Sequence, residues 1–247
     1  MPDGGTLLTM NAVGRSALAI LAFHKIGEPP PSPQANPWYI PEATFRSHLR
    51  FLASNGWVVL SIDTFLRALS APGALPQRSA LLTFDDGYKS LLNSASQCLL
   101  EFGYPAVAFV PTHFVGGYND FDEGVQPKEA ICSWDDLREL ERRSFSIQSH
   151  GVRHRSFARI APEEQEEELR CSKIIIEAEL GKPVEAFAYP YGNVGDRAVG
   201  EVLKRAGYRS AFLFGGGVAA LPVESSYFLP RVDMYPDTDL AICLGSS

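Results

Sequence analysis

Long apolar runs are missing from this sequence of 247 residues, and no stretch reaches the roughly 18 uninterrupted apolar residues that a membrane helix needs. The nearest imitation, residues 17–23, is too short for a signal-peptide core with its cleavage site and reads better as a first strand. A cytoplasmic protein is therefore expected. Cysteine is scarce: Cys98, Cys132, Cys171 and Cys243 are scattered, with no Cys-x-x-Cys pair and no small-domain disulfide framework. They read as buried or half-buried thiols. There is no run rich in lysine or arginine, and 29 acidic against 22 basic residues leave a formal charge of -7. A nucleic-acid partner is excluded on that ground, because phosphate binding needs a basic footprint. A neutral or cationic ligand is easier to accommodate.

What is present is an ordinary globular composition, 45% hydrophobic and 21% charged, able to bury a sizeable core. One domain over 1–247 suffices, since barrels of this size often form a single unit. Strand-like and helix-like segments alternate. Strands are expected at 17–23, 57–60, 80–84, 106–110, 145–148, 186–189, 209–214 and 227–232, and helices at 41–55, 89–102, 134–142, 162–180 and 197–206, with 239–244 closing the series. Ser133 caps one helix, while Pro162 starts and Gly181 ends another, whose acidic run 163–168 reads as a solvated face. Apolar strands in repeated βα units imply a parallel sheet covered by helices, an α/β architecture.

Two carboxylates close one of the apolar strands, in Thr83-Phe84-Asp85-Asp86-Gly87. Adjacent acids repel, so the pair points to a metal site in which one acid is a ligand and the other moves protons. An Asp/Gly turn is the alternative. A second cluster, Ser149-His150-Gly151-Val152-Arg153-His154, carries two of the five histidines four residues apart after another strand. Asp86, His150 and His154 make a ligand set suited to zinc or another divalent transition metal, with positions left for water and substrate. A surface histidine pair is the bland alternative.

A third motif, Phe187-Ala188-Tyr189-Pro190-Tyr191-Gly192, completes an ordered series. Taken together, TFDDG, SHGVRH and FAYPYG resemble the polysaccharide deacetylases, the NodB-type carbohydrate esterase family 4, and the similarity runs from about residue 20 to about residue 235. The motif-bearing core is placed at about 17–235. The resemblance implies a distorted (β/α)7 barrel, which periodicity alone does not distinguish from an eight-fold barrel or an open sheet. It further implies a hydrolase acting on carbon-nitrogen bonds that removes N-acetyl groups from an amino sugar or polysaccharide. One divalent metal would serve it, zinc before cobalt, nickel or manganese. By motif matching Asp86 is the ligand, Asp85 the general base and the Tyr191 backbone amide the oxyanion donor. For the Tyr189 and Tyr191 rings, ordinary packing is the alternative.

Two departures from the family pattern follow. The arginine usually found two residues before Pro-Tyr is Ala188 here, so the guanidinium that orients the base has to come from elsewhere. Arg231 is the candidate, with a surface ion pair to Asp233 as the alternative. The late Leu-x-His motif is also missing, because no histidine follows His154. His24, in a segment resembling the start of the poly-N-acetylglucosamine deacetylase branch, is the candidate general acid, against a purely structural role. His48 is expected on an exposed helix face. The loop of residues 112–130 is long enough to line a groove, and His113 within it is not taken as a ligand. Trp38, Phe114 and Trp134 suit either sugar stacking or the core. Two other readings stay open: an amidohydrolase of the same fold acting on a small cyclic amide, and an idle carbohydrate-binding module.

Overall fold

A computed structural model describes residues 17–29, 36–71, 75–143 and 145–245. Residues 1–16 and 246–247 of the expected domain lie outside the described residues. Seven parallel strands close a barrel in the order β1 (Ala17–Phe23), β10 (Leu229–Asp233), β9 (Ser210–Gly216), β8 (Ala186–Ala188), β7 (Phe145–Ser149), β6 (Ala106–Val110) and β5 (Arg78–Phe84), and β5 returns to β1. The distortion is at β5. One of its edges pairs with β1 along its length, while the other is divided between the two-residue β4 (Val58–Val59) near its start and β6 at its end. A minor pair, β2 (Lys25–Ile26) with β3 (Tyr39–Ile40), lies beyond β1.

Strand periodicity sorts the core into two parts. Leu18 and Ile20 of β1, Leu81 of β5, Phe109 of β6 and Phe212 of β9 fill the barrel interior, and Phe65 and Leu66 join them. Ala19, Leu21 and Phe23 face outward to meet Phe45 and Leu49 of α1 (Glu42–Ser54), with Leu140 of α4 (Trp134–Arg142) and Ile176 of α5 (Pro162–Leu180) in the same layer. Phe65 and Leu66 belong to α2 (Ile62–Ser70), a helix absent from the sequence expectations. Its signals were present: Ser61 accepts from the Thr64 amide, and Ile62, Phe65, Leu66 and Leu69 recur at helical spacing.

Expected helix ends hold where the cap chemistry is strong. Ser133 and Asp136 form a reciprocal capping box at the start of α4. At α5, Pro162 occupies the first turn and Gly181 ends the helix at φ 66°. The segment from residue 89 starts later than expected, as a π-turn over Leu91–Ala95 followed by α3 (Ser96–Phe102). The remaining helices are α6 (Val199–Arg205) and α7 (Leu240–Leu244).

Three sequence expectations are corrected. His48 is buried rather than exposed, because its helix face packs under the C-terminal segment and Nε2 donates to the Thr238 carbonyl at 3.1 Å. Cys243 is exposed, since α7 is short and buries only Leu240, although Cys98 and Cys132 are buried and Cys171 half-buried. Glu168, at the end of the acidic run, is buried with a specific task described below. Among the described residues no helix is long and apolar enough to cross a membrane.

Candidate active site

Parallel register assembles the site at one end of the barrel. β1 and β5 pair residue for residue up to Phe23 with Phe84, so His24 and Asp85 are the next neighbours, joined by the Asp85 amide donating to the Phe23 carbonyl at 2.9 Å. Val110 pairs with Ser149 and Ser149 with Phe187, which places His150 beside Ala188 one step further on. Every motif residue therefore emerges at the C-terminal mouth, where loops rather than ladder bonds determine side-chain direction.

Asp86, His150 and His154 each bring a ligand atom to one point, all within 4.8 Å of one another and all buried. His150 Nε2 lies 3.5 Å and His154 Nε2 3.1 Å from Asp86 Oδ1. That oxygen has no hydrogen-bond partner although it is buried, which is what a cation held among these atoms would satisfy. The His150 tautomer is fixed too. Its Nδ1 lies 2.7 Å from the Ala188 carbonyl, which can only accept, so Nδ1 carries a proton and in the neutral ring Nε2 is the nitrogen that presents a lone pair. On both grounds the donor set fits a divalent transition metal. Burial pushes the Asp86 carboxyl up, but the close approach of His154 and His150 to the carboxylate more than reverses that and holds it well below 3.8.

Backbone strain marks the same place. Asp86 (φ 70°), His154 (φ 53°) and Tyr191 (φ 60°) are the non-glycine residues at positive φ among those described. Such conformations cost about 1–3 kcal/mol each and persist where the surroundings over-determine them. Two of the three are prospective ligands, and the third carries the amide that motif matching puts at the oxyanion.

Asp85 sits beside the cluster and is gripped by Arg231, whose Nη1 and Nη2 donate to its two oxygens at 2.8 and 2.7 Å. The alternative of a surface pair with Asp233 is set aside: Arg231 is fully buried, and Asp233 Oδ1 accepts from the Gly215 amide instead. β10 explains the placement. Leu229 and Arg231 are two apart on the inward face, and the ladder to β9 shifts register between them, a bulge that re-aims the longer side chain. Thr83 Oγ1 takes a further Nη1 bond at 3.2 Å, and the Leu213 carbonyl takes Nε at 2.5 Å. Burial raises the Asp85 pKa, yet the Arg231 charge and hydrogen bonds outweigh it and leave the group below 3.8.

A cavity of about 240 Å³ opens over these residues. His24 lines it, with its ring 4.6 Å from Trp38 and 5.7 Å from Phe214, and its buried Nδ1 has no hydrogen-bond partner. Burial lowers the His24 pKa, and the Asp86 and Asp85 charges offset this only in part. The opposite wall is the loop after β6, through Asp122, Val125 and Gln126. Phe121 of that loop and Tyr191 both pack on His154, at 4.2 and 4.7 Å between ring centroids. His113 is exposed, Phe114 packs on Phe121, and Trp134 leans on the core.

Lys25 was not foreseen. It is wholly buried after His24, donates to Gln126 Oε1 at 2.8 Å and Glu129 Oε1 at 2.6 Å, and so ties the loop wall to β2. Nothing in Phe23-His24-Lys25 distinguishes a buried lysine from an exposed one.

The polysaccharide deacetylase family matches residues 73–211, more than half of the chain, and the chain belongs to this family of hydrolases that cut carbon-nitrogen bonds of acetylated sugars. The YxkH protein of Bacillus subtilis (strain 168), which is named for the same family, is 23% identical over 219 residues, covering 89% of this chain and 72% of its own length. The poly-beta-1,6-N-acetyl-D-glucosamine N-deacetylase of Escherichia coli (strain K12) is 26% identical over 226 residues; the match takes in 77% of this chain but only a third (33%) of that enzyme. Among solved structures, the deacetylase PplD of Streptococcus pyogenes, in complex with acetate, superposes with a TM-score of 0.78 at 23% identity, covering 90% of this chain and 94% of that one. IcaB from Ammonifex degensii gives 0.76 at 24% identity, covering 90% and 93%. At these identities the structural likeness speaks for the fold alone.

Proposed function

We propose that this chain is a metal-dependent deacetylase that removes N-acetyl groups from an N-acetylated amino sugar or its polymer. The observation that carries the reading is the convergence of Asp86, His150 and His154 on one point beside a second, separately held carboxylate, Asp85. Asp86 Oδ1 and the Nε2 atoms of His150 and His154 would hold the ion, with zinc the first choice and cobalt, nickel or manganese suited to the same donors. A bound divalent ion supplies a water acidified to a pKa of about 7 and a Lewis acid for the amide carbonyl.

Asp85, which lines the cavity, is ionised and takes the proton of the attacking water, while Arg231 holds both its oxygens and so fixes the orientation of the carboxylate. The Tyr191 amide, fixed at positive φ, donates to the developing oxyanion. His24 delivers a proton to the departing amine. The substrate reading is supported by the cavity walls: Trp38 and Phe214 offer rings to the apolar face of a sugar, and Asp122 and Gln126 offer acceptors and donors to its hydroxyls. A poly-N-acetylglucosamine is the first candidate, by extension from the substrate named for the Escherichia coli relative.

Metal content of the purified protein, together with release of acetate from chitooligosaccharides and from β-1,6-linked N-acetylglucosamine oligomers, tests the reading. Stoichiometric metal with acetate release is expected. Metal without turnover of any acetylated sugar would shift the reading to a small cyclic amide, and neither metal nor turnover would leave a carbohydrate-binding role.

A further inference from the structure

Glu168 is a carboxylate that the proposed chemistry does not use, and it is almost entirely buried, with its side chain 3% exposed. It lies on α5, outside the mouth, and its Oε2 accepts from the Val152 amide at 2.6 Å and the Arg153 amide at 2.9 Å. These two amides are the middle of the loop that joins His150 to His154. Gly151, at φ 82°, makes room for the contact, since a Cβ there would meet Oε2 at 2.9 Å. Among the described residues the one ion-pair partner of Glu168 is Arg153, whose Nη1 lies 3.9 Å from the other oxygen and whose side chain is more than half exposed. A buried anion is costly unless paired or well hydrogen-bonded, so a carboxylate held mainly by two loop amides points to a demand from the loop itself.

The loop needs such a hold. His150 and His154 are four apart, but the connection is not helical, and His154 stands at a strained positive φ. Thr112 and His113 amides bind the loop carbonyls of Gly151 and Val152 from the β6 side, at 3.1 and 3.0 Å, while Glu168 binds its amides from the α5 side. Carbonyls and amides of the loop are thus both bound, and its backbone is held from two sides between the two imidazoles. We propose that Glu168 is a positioning residue for the metal centre: it fixes the 150–154 loop from below so that His150 and His154 converge on Asp86 before any ion arrives.

This inference rests on the reading of those three residues as metal ligands. The test is Zn²⁺ affinity of the metal-free protein, measured by competition with a chromophoric chelator, with the melting temperature of the same metal-free protein followed alongside. Glu168→Ala is expected to weaken Zn²⁺ binding about 10–100-fold, the range for groups that orient ligands. Glu168→Gln, which keeps the volume and one acceptor oxygen, is expected to recover part of that loss. A merely structural carboxylate would lower the melting temperature and leave the affinity of the folded protein alone. Wild-type affinity in folded Glu168→Ala overturns the inference. Should that variant fail to fold, Glu168→Gln decides by the same criterion, reduced affinity supporting the proposal and wild-type affinity overturning it. Wild-type protein that binds no Zn²⁺ removes the metal reading and this inference with it, whereas wild-type binding with unchanged variants removes only the inference.

Discussion

Arg231 holds both oxygens of Asp85, at 2.8 and 2.7 Å, and neither side chain is more than 4% exposed. The pair joins the last strand of the barrel to the carboxylate proposed as general base. It supplies a guanidinium to the base although the family position for that arginine is Ala188, whose carbonyl instead fixes the His150 tautomer. A buried pair of this kind contributes little net stability against an apolar substitute, but removing one partner strands the other charge.

Arg231→Met is therefore expected to destabilise the protein by about 3–5 kcal/mol at neutral pH, while Arg231→Met/Asp85→Asn recovers most of the loss. In the wild type the Asp85 pKa is depressed, so its contribution is present above 3.8 and is lost as pH falls through the lower folded value. Without Arg231, burial raises that pKa, so the single variant's deficit should shrink as pH falls. Urea unfolding of the three proteins across pH checks this, and equal losses in single and double variants would refute the coupling.

His150→Ala should lose bound metal and acetate release together, because it removes one of three converging donors. Metal analysis after gel filtration is the measurement. An active variant with unchanged stoichiometry would refute the ligand assignment.

The two aspartates should separate. Asp85→Asn is expected to retain metal and lose about 10²–10⁴-fold in kcat, the usual range for a general base, while Asp86→Asn loses the metal itself. Parallel metal analysis and turnover decide it; equal metal loss in both variants would mean that the roles are misassigned.

For His24, the expected signature is a leaving-group dependence. His24→Ala should depress kcat on the amide far more than on an activated ester, whose leaving group needs no proton. Burial places the His24 pKa below 6.5, so a proton-donating His24 is charged at low pH and the amide rate should fall as pH rises through that value. Equal effects on amide and ester, or none on either, would make His24 a packing or ground-state contact between Trp38 and Phe214.

Much of the barrel is written in short-range pattern. Residues 17–23, 106–110 and 162–180 have the bounds their sequence predicts, because short continuous apolar runs, proline at a first turn and glycine at positive φ act within a few residues. Helix α2 carried equally local signals in Ser61 and its apolar spacing, and was legible though not read. Residues needing long-range partners were different. His48 depends on Thr238, Lys25 on Gln126 and Glu129, and Glu168 on the loop 16 residues before it. Each looks like a surface polar residue until the partner is known.

The sequence by itself determined the residue types of the prospective metal site, their order and their place after strands, since Asp85-Asp86 and the His150, His154 pair are bound to local segments whose structure is local. Barrel closure, the pairing of Asp85 with Arg231 while Ala188 stands at the family's arginine position, and the inward burial of Glu168 were decided only by tertiary structure. The reason is one of range: a side chain's conformation follows its own backbone, but whether a charge is buried, and against what, depends on which distant strand or helix the fold brings beside it. Asp85 and Arg231, 146 positions apart, meet only because β10 closes the barrel next to β1, and β1 lies against β5.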